Sequence, residues 1–445
     1  MSHPRYPAYV PTNFPWLGEI PKEWEVQRLK ILFEIVKTIA KVDGLDVLSV
    51  TQKGIRVKDT ESNEGQLSMD YSKYQIVHPG DFVMNHMDLL TGYVDVSAWH
   101  GVTSPDYRVF RLRDDRNSSR YFLYLLQNCY HNRLFFPFGQ GSSQLGRWRL
   151  PTEAFNQFIF PVPSPVEQTS IAAFLDRETA KIDALVEEQK RLIDLLKEKR
   201  QAVVSHAVTK GLNPHAPMKD SGIEWLGEVP EHWAVTKLGR YISILSGFAF
   251  PSSGFSLNVQ DTRLLRGINV GVGETKWEEV VYWPRKAEDQ LERFELRPGQ
   301  IVVGMDRPWI NEGVRVARIS DADLPCLLLQ RVTALTVGNE MSEDFVYHLL
   351  SSALFVSYFT PDMTGVSVPH LSPEQISNFI IAVPPLSEQQ LIAAHIGDEL
   401  KQLAALLKEA EAAIAHLQER RAALISAVVT GKIDVRSLVE EREAA

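Results

Sequence analysis

The sequence predicts an α/β (α+β) chain with two mixed α/β domains, separated by two long antiparallel coiled-coil helices in a pseudo-twofold internal repeat. A tryptophan-rich motif at residues 16–26 returns at residues 225–235, shifted by 209 residues. Glu167 and Gln168, which open a long helical pattern, recur 221 residues later before a second such pattern. Each tryptophan-rich motif is followed by short β-branched and aromatic runs broken by Gly and Pro, as in mixed α/β domains. These observations indicate a duplicated unit.

Composition places few limits on the class of protein. The chain has 445 residues, with 44% hydrophobic and 23% charged residues, so packed cores of ordinary composition are expected. The first 15 residues contain no apolar signal-peptide core, and no stretch reaches the roughly 18 apolar residues of a membrane span. We therefore expect a cytoplasmic protein without a membrane partner. Cys129 and Cys326 lack metal-ligand spacing and are predicted to be buried hydrophobic residues.

The charge is distributed unevenly along the chain. The formal net charge of −9 argues against a nucleic-acid binder taken as a whole. Residues 1–163 carry a net charge of +1, however, whereas residues 213–384 carry −7. A role in DNA binding therefore requires local basic patches, or a basic partner that supplies the phosphate contacts.

Five segments follow from these patterns in chain order. Helical patterns near residues 121–128 and 343–352 give each domain a helix, and the turn at Pro79-Gly80-Asp81 has a counterpart at Pro298. The predicted segments are a first domain (1–163), a first long helix (164–212), a second domain (213–384), a second long helix (385–432) and a C-terminal tail (433–445).

Heptad spacing predicts how the two long helices pair, because apolar residues recur at the 3.5-residue period of a coiled coil. Glu178 and Lys199 interrupt the first seam, and Glu399 and Arg420 interrupt the second. An antiparallel pairing sets Glu178 against Arg420 and Lys199 against Glu399, whereas a parallel pairing sets like charges together. The predicted contacts are Leu175, Glu178, Ile182, Leu185, Leu192, Leu196, Lys199 and Val203 with Ile396, Glu399, Leu403, Leu406, Leu417, Arg420 and Leu424.

Signatures of catalysis are missing from the sequence. It contains no Asn/Asp-Pro-Pro-Tyr motif of amino-methyltransferases and no phosphate-binding P-loop. The glycines from Gly139 to Gly146 have the wrong spacing for a dinucleotide site, and the histidines show no metal-ligand pairs. A nuclease site that joins Asp106 to Glu188 is disfavoured because Glu188 lies within a long helix. We expect no catalytic residue, no metal and no bound cofactor.

Polar residues that follow predicted strands are candidates for contacts with DNA. Arg and Lys bind phosphate or guanine, Gln and Asn can read adenine edges, and Gly and Ser offer backbone amides to phosphate. For each position, a polar surface loop or a packed turn remains an alternative. The candidates are Gln52, Lys53, Arg56, Asn85, His86, Gln140, Ser142, Ser143, Gln144, Arg147 and Arg149 in the first domain, and Arg266, Asn269, Arg307, Thr364, Ser367 and His370 in the second.

Four tryptophans belong to the repeated motif. Trp16, Trp24, Trp225 and Trp233 have flat rings that can stack on bases, but their repetition beside Leu-Gly-Glu and Pro favours a packing role. We expect them to anchor the entry strand of each domain to the ends of the long helices.

Taken together, these motifs resemble the specificity subunit of type I restriction-modification enzymes. The resemblance rests on Trp225-Leu226-Gly227-Glu228-Val229-Pro230 with Trp233, on Ser104-Pro105-Asp106-Tyr107, on the Pro-Gly-Asp turn, on Val383 to Gln390, and on the helix tails 207–211 and 427–431. It covers almost the whole chain.

The resemblance implies two target-recognition domains, each reading one half of a bipartite, asymmetric sequence in double-stranded DNA. It also implies that the helices set the gap and dock two methyltransferase subunits, which use S-adenosylmethionine to methylate adenine. Restriction subunits that use ATP and Mg would complete the complex, and this chain would be non-catalytic. Two alternatives stay open on the residues alone: a coiled-coil adaptor protein and a single-chain DNA-modifying enzyme.

Overall fold

The computed structural model describes residues 4–60, 70–141, 148–311, 313–363 and 369–437. The chain forms two compact units. The first unit consists of Met1–Lys190 with Ala412–Ala445, and the second consists of Arg191–Glu411. Each unit therefore contains one globular domain and half of each long helix. The division into five segments stays a prediction.

The first unit is a mixed α/β structure whose short strands surround one buried helix. Its helices are α1 (Leu29–Leu32), α2 (Ser119–His131), α3 (Thr152–Gln157) and the N-terminal half of α4 (Pro165–Lys210). Its strands are β1 (Tyr9–Pro11), β2 (Glu19–Pro21), β3 (Glu25–Arg28), β4 (Phe33–Val36), β5 (Leu48–Thr51), β6 (Gly54–Val57), β7 (Gln75–Val77), β8 (Phe82–Met84), β9 (Val94–Val96), β10 (Gly101–Thr103), β11 (Arg108–Leu112) and β12 (Ile159–Val162).

The second unit contains the same kinds of elements. Its strands are β13 (Met218–Asp220), β14 (Glu228–Pro230), β15 (Ala234–Lys237), β16 (Ile242–Ser246), β17 (Thr262–Leu265), β18 (Tyr282–Trp283), β19 (Ile301–Gly304), β20 (Trp309–Ile310), β21 (Gly313–Val314), β22 (Val316–Arg318), β23 (Cys326–Leu328), β24 (Val332–Val337) and β25 (Ile380–Val383). Its helices are α5 (Glu343–Leu350), α6 (Ala353–Met363), α7 (Pro373–Asn378) and the N-terminal half of α8 (Leu386–Val429).

The strand order repeats from one unit to the other. The antiparallel sheet β4-β11-β8-β9 of the first unit matches β16-β24-β19-β22 of the second. The pairs β1-β2 and β3-β12 match β13-β14 and β15-β25 in the same way. The second unit also has a three-stranded sheet, β18-β17-β23, in which β17 and β23 are parallel. The predicted mixed α/β class and the internal repeat are confirmed.

The repeated sequence motifs form equivalent anchors in the two units. The Trp24 indole donates to Glu167 at 3.1 Å, and the Trp233 indole donates to Glu388 at 3.2 Å. Both indoles are buried, as the packing interpretation of the repeated tryptophans predicts. Each entry strand is thereby fixed to the first turn of the long helix that follows its domain.

The other two tryptophans of the motif also have matching positions. Trp16 stacks on Phe158 with ring centroids 5.5 Å apart, and Trp225 stacks on Phe379 at 5.7 Å. The four tryptophans therefore act in packing.

The repeated glutamines of the long helices cap a second helix in each unit. The Gln168 side chain accepts a hydrogen bond from the Ser118 backbone at 2.9 Å, and Gln389 accepts one from Ser342 at 2.8 Å. Ser118 and Ser342 are themselves the N-cap residues of α2 and α5. The Glu-Gln pair of the repeat thus ties each long helix both to the entry strand and to the domain's central helix.

The two long helices run antiparallel within each unit, as predicted. In the first unit, Asp183 of α4 forms an ion pair with Arg421 of α8 at 2.8 Å, while Ile171 nearer the start of α4 shares a core with Val428 nearer the end of α8. In the second unit, Val204 and Val208 near the end of α4 share a core with Ile392 near the start of α8.

One of the two predicted heptad rows is wrong. Leu175, Ile182 and Leu196 are buried as predicted, but Leu185 and Leu192 are 48% and 41% exposed. The observed row runs instead through Thr179 and Val186, which are buried, and Ile193, which is half-buried, one residue further along the helix. The predicted row would bury Glu178, whose burial without a partner would cost free energy, whereas the observed row has the uncharged Thr179 at that position.

The second helix shows the same displacement. Ile396 and Leu403 are buried and Leu417 and Leu424 are half-buried, but Leu406 is 48% exposed. The residues Leu400, Leu407 and Ile414 take the place of the predicted row. Val203, which was predicted to lie on the first row of the first helix, is half-buried.

The predicted ion pairs between the helices are wrong. Glu178 binds its own neighbours, Arg177 at 3.0 Å and Lys181 at 2.7 Å, rather than Arg420. Among the described residues, Lys199 and Glu399 form no ion pair with each other, and both Lys199 and Arg420 are exposed. Opposite charges are most stable here within a single turn, where i,i+3 neighbours remain solvated.

Both cysteines are buried and unpaired, which confirms their predicted packing role. No helix within the described ranges has the length and apolar character needed to cross a membrane.

Candidate nucleic-acid interface

The hairpin formed by β5 and β6 presents the first group of predicted contacts. Gln52 and Lys53 form its turn, and Arg56 lies on the returning strand. All three side chains are exposed. A two-stranded ribbon with polar side chains at its tip has a shape that can enter a DNA groove.

The end of strand β8 brings a second group together in the first unit. The Leu150 amide donates to the His86 carbonyl at 2.8 Å, and Gln140 and Arg149 exchange backbone hydrogen bonds at 2.8 and 3.0 Å. Gln140 and Arg149 are exposed, whereas Asn85 and His86 are half-buried. These four predicted residues therefore lie at one edge of the sheet.

Asn85 has a structural role in addition to its place at this edge. Its backbone amide donates to Tyr93 at 2.9 Å, its carbonyl accepts from the Tyr130 hydroxyl at 2.8 Å, and its side chain accepts from the Met87 amide at 3.3 Å. The side-chain amide group stays available as a donor to a ligand.

Lys37 and Arg108 also line this edge, and sequence reasoning missed both. Together with His86 and Arg149 they line a cavity of about 250 Å³ at the ends of β4, β8 and β11. Arg108 begins a strand and Lys37 follows one, so neither stands out in the sequence. The signal that would have found them is the strand register, because it sets Arg108 opposite Met84, two residues before His86.

Burial and charge determine the protonation of His86. Burial lowers the pKa of its imidazole to about 3, and the positive charges of Arg108, Arg149 and Lys37 act in the same direction. His86 is therefore neutral at neutral pH.

In the second unit, Asp306 gathers the corresponding polar side chains. Its carboxylate forms an ion pair with Arg331 at 2.7 Å and a hydrogen bond with the imidazole of His370 at 2.7 Å. Partial burial alone would raise the pKa of Asp306, but these two hydrogen bonds hold it below the ordinary value. The three residues line a cavity of about 440 Å³.

The predicted contact residue His370 therefore lines this cavity, and Arg307 is exposed beside it. Arg307 has a φ of +45° and its amide donates to Pro369 at 2.8 Å. Asp306 and Arg331 were not among the predicted contacts.

Two predicted contacts of the second unit are used within the fold. Asn269 is only 1% exposed, and its amide donates to the carbonyls of Lys276 and Glu279 at 2.8 and 2.9 Å. Arg266 donates to the same Glu279 carbonyl at 2.8 Å. Because both hydrogen bonds of the Asn269 amide group go to carbonyls of the following loop, the side chain has no donor left for DNA.

The remaining predicted contacts lie outside the described residues. They are Ser142, Ser143, Gln144, Arg147, Thr364 and Ser367. Within the described ranges, no cluster of three or more His, Cys, Asp or Glu side chains is arranged to hold a metal ion.

The two units are similar, each has a polar sheet edge, and each contains part of the two long antiparallel helices. Comparison with known protein families identifies the class of protein that has these features. The family model described as the type I restriction modification DNA specificity domain matches residues 21–194 and 273–415. The chain belongs to this family, which confirms the resemblance inferred from the motifs.

Curated relatives are specificity subunits of type I restriction enzymes. The chain is 35% identical over 218 residues to the EcoAI specificity subunit of Escherichia coli, a match that covers 49% of this chain and 36% of the relative. It is 28% identical over 285 residues to the MjaVIII specificity subunit of Methanocaldococcus jannaschii, covering 64% of each. These matches span about a third and just under two thirds of the relatives' own lengths. A putative MjaX specificity subunit is 22% identical, with 95% of this chain and 96% of the relative covered.

Solved structures share the fold. A chain from a study of the assembly and conformational transition of the type I restriction-modification system has a TM-score of 0.63 at 15% identity, covering 92% of this chain and 98% of that one. The HsdS subunit of Thermoanaerobacter tengcongensis has a TM-score of 0.51 at 15% identity, covering 93% and 98%.

Proposed function

We propose that this chain is the DNA-reading, non-catalytic specificity subunit of a type I restriction-modification complex. Each unit would read one half of a bipartite, asymmetric site in double-stranded DNA. The proposal rests on one observation: the two units share the same sheets and tryptophan anchors, but the edges of their sheets have different polar side chains. The two units repeat one sheet order and one set of tryptophan anchors, yet His86 and Arg149 line one edge and Asp306 and His370 line the other.

The unlike edges support an asymmetric site. Sequence is read in DNA by hydrogen bonds to base edges, and different donors and acceptors select different bases. Two domains with the same frame and different side chains would therefore present different half-sites to one duplex. The exposed hairpin residues Gln52, Lys53 and Arg56 add polar contacts in the first unit only.

Partner subunits would supply the chemistry. We propose that two methyltransferase subunits, using S-adenosylmethionine to methylate adenine, dock on the long helices. Restriction subunits that use ATP and Mg would join the same complex. Support comes from large apolar side chains left exposed on the helices, including Leu195 at 61% and Leu391 at 65%. Exposed apolar residues of this size are frequent where partners bind.

Methylome sequencing tests the proposal. Cells that express the chain with its methyltransferase subunits are expected to carry methyladenine at one gapped sequence, and cells without the chain are expected to lose that methylation. The purified chain alone should transfer no methyl group. Methylation by the isolated chain would establish a single-chain enzyme instead, and a complex that binds no DNA would establish an adaptor.

A domain exchange tests the division of labour between the units. Replacing the globular part of the first unit with that of a relative of different specificity should change one half of the methylated sequence and leave the other half intact. The reciprocal exchange in the second unit is the control, and it should change only the other half. A change in both halves after either exchange would contradict independent reading.

A further inference from the structure

Each four-stranded sheet has a cavity beside the ends of its two central strands. The first cleft is the cavity of the first unit, lined by Lys37, His86, Arg108 and Arg149 with Asp106 at its rim. The second cleft is the cavity of the second unit, lined by Ser246, Met305, Asp306, Arg331 and His370.

The strand registers make the two clefts equivalent. In the first unit, Val109 pairs with Val36 on one side and with Val83 on the other. Ala334 has the same two neighbours in the second unit, Leu245 and Val302. Counting from these pairs matches the cleft positions one by one. The equivalent pairs are Lys37 with Ser246, His86 with Met305, Asp106 with Arg331 and Arg108 with Thr333.

A backbone hydrogen bond supports the same match independently. Leu150 donates to the His86 carbonyl at 2.8 Å, and Leu371 donates to the Met305 carbonyl at 2.8 Å. Arg149 and His370, which precede these two leucines, are therefore equivalent as well. The two clefts occupy the same place on the same scaffold and differ in their side chains.

The first cleft contains a buried cation without a counter-charge. Arg108 is 4% exposed, and one of its terminal nitrogens donates to the Leu150 carbonyl at 3.1 Å and to the Thr152 hydroxyl at 3.3 Å. Its other terminal nitrogen, Nη1, has no hydrogen-bond partner. Among the ion pairs of the described residues, none includes Arg108. The guanidinium lies 4.5 Å from the centre of the Phe155 ring, which compensates part of its charge. A buried cation without a carboxylate partner still favours a ligand of opposite charge.

Other groups around Arg108 favour an anion. Lys37 and Arg149 are exposed at the mouth of the first cleft, and Asp106 is the carboxylate that lines it. The cleft therefore has a net positive charge. His86 adds a neutral imidazole whose Nδ1 also has no partner, so it can hydrogen-bond to a ligand without adding charge.

In the second cleft, the charges of the lining residues neutralise one another. The carboxylate of Asp306 binds Arg331 and His370, both at 2.7 Å. Thr333 stands where the first unit has Arg108, and Ser246 stands where it has Lys37. An anion that enters the second cleft would meet the Asp306 carboxylate, and no unpaired cation is present among the described residues that line this cleft.

We propose that the first cleft binds one backbone phosphate of the DNA duplex and that the second cleft binds none. Lys37 and Arg149 hold the phosphate at the mouth, and the charge of Arg108 attracts it from below. This inference rests on the proposed function, which supplies the duplex. The net charge decides between phosphate and base, because a phosphate carries the full negative charge that the cleft lacks and a guanine edge does not. A phosphate contact in the first unit also suits the net charge of +1 of residues 1–163, against −7 for residues 213–384.

Salt dependence of DNA binding tests the proposal. The complex of the chain with its methyltransferase subunits is titrated with a duplex that contains the methylated site, at several KCl concentrations. Lys37→Ala and Arg149→Ala should each weaken binding about tenfold. The double variant should reduce the slope of log K against log [KCl] by about 0.9, as expected for the loss of one phosphate contact. Each single variant should reduce the slope by only part of this amount, because the remaining cation still contacts the same phosphate.

Two controls separate the phosphate contact from other effects. Arg149→Lys keeps the charge and should keep most of the slope. Asp306→Asn combined with Arg331→Gln removes the matched pair of charges from the second cleft and should leave the slope unchanged. The loss caused by Arg149→Ala should be equal for the cognate duplex and for one with a scrambled site, since a phosphate carries no sequence information.

Neutral backbone substitution locates the phosphate. Duplexes with one methylphosphonate at each position in turn should reveal a position that weakens binding of the wild-type complex but has no further effect on the variant that combines Lys37→Ala with Arg149→Ala. That position should lie in or beside the half-site that a first-unit domain exchange alters.

Three results would overturn the proposal. The first is an unchanged salt slope in Lys37→Ala and Arg149→Ala, and the second is the absence of any methylphosphonate position with the stated pattern. The third is a loss confined to one base pair of the site, which would make the cleft a base reader. In each case the wild-type complex still methylates its gapped sequence, so the proposed function survives. Failure of the wild-type complex to select a sequence would instead overturn the proposed function.

Discussion

At the residue scale, the anchors explain why particular residues recur 209 and 221 positions apart. Glu167 is 8% exposed and accepts from both the Tyr6 hydroxyl at 2.7 Å and the Trp24 indole at 3.1 Å. Burial and the neighbouring Glu167 carboxylate raise the pKa of Tyr6, so its hydroxyl stays a donor. A buried carboxylate needs such donors, because leaving it without them costs its desolvation free energy.

Removing one donor tests the anchor. Trp24→Phe should lower the free energy of unfolding by about 2 kcal/mol, since Glu167 loses a hydrogen bond in a buried setting. Urea denaturation of the purified chain measures the change. Trp233→Phe is the matched variant in the second unit, where the indole donates to Glu388. Unchanged stability in both variants would show that the indole N–H groups do not contribute.

His86 gives the chain a predictable response to acid. Its pKa in the fold is about 3, below the value of about 6.5 expected in the unfolded chain. Between these values the unfolded state binds a proton that the folded state does not, so stability is full above pH 6.5 and decreases as the pH falls. For this residue the loss should reach about 2 kcal/mol between pH 7 and pH 5.

Comparison of His86→Gln with the wild type isolates this contribution. The variant should lose less stability than the wild type between pH 7 and pH 5, as measured by urea denaturation at each pH. His348 is a second buried histidine, on helix α5 of the second unit, and burial and the charge of Arg318 lower its pKa to about 4. Its Gln variant should show a similar reduction. Equal pH dependence in all three proteins would contradict the assignment.

At the element scale, the heptad count predicted one buried row of the long helices correctly and the other row incorrectly. Leu175, Ile182 and Leu196 lie on the buried row that the count predicts. The second row differs because the heptad count does not decide whether the residue three positions or the residue four positions after each member of the first row faces the protein. Thr179 is buried and its hydroxyl contacts the Tyr124 hydroxyl at 3.3 Å, so the globular domain takes part in the choice.

A pair of substitutions tests the corrected row. Ile182 is 6% exposed and Leu185 is 48% exposed. Ile182→Ala should lower the free energy of unfolding by about 2–4 kcal/mol, and Leu185→Ala should lower it by less than about 1 kcal/mol. Thermal or urea unfolding measures both. If the predicted row that contains Leu185 were buried, the two substitutions would lower the free energy of unfolding by comparable amounts. Similar losses in the two variants would therefore contradict the corrected row.

At the scale of the whole molecule, we expect the helices to set the gap between the two half-sites. α4 has 46 residues and α8 has 44. A helix rises 1.5 Å per residue, so one inserted heptad lengthens each helix by about 10.5 Å. This corresponds to roughly three base pairs of duplex DNA at 3.4 Å per pair.

Insertion of one heptad at the middle of both helices tests this ruler. The methylated sequence should keep both half-sites and widen its gap by about three base pairs, as read by methylome sequencing. Insertion in one helix only is the control, and it should abolish methylation because the two helices lose their register. An unchanged gap after the double insertion would rule the ruler out.

Much of the fold was predictable because its signals are local. The repeated Trp, Glu and Gln motifs, the helix caps at Ser118 and Ser342, and the apolar periodicity of the long helices are each visible within a short stretch of sequence, although the tryptophan anchors join residues 143 and 155 positions apart. The candidate site was predicted only in part. His86, Arg149 and His370 follow recognisable turns or motifs, whereas Arg108, Lys37 and Asp306 become neighbours of these residues only through strand pairing.

The sequence by itself determined the duplication, the α/β class and the packing role of the tryptophans. Periodicity and repetition encode these features along the chain. Only the tertiary structure decided which row of each helix is buried, that Asn269 is enclosed by its own loop, and that the two clefts are equivalent in place but differ in charge, the first positive and the second neutral. These depend on the register between strands far apart in sequence, where a shift of one residue would exchange every inward and outward side chain.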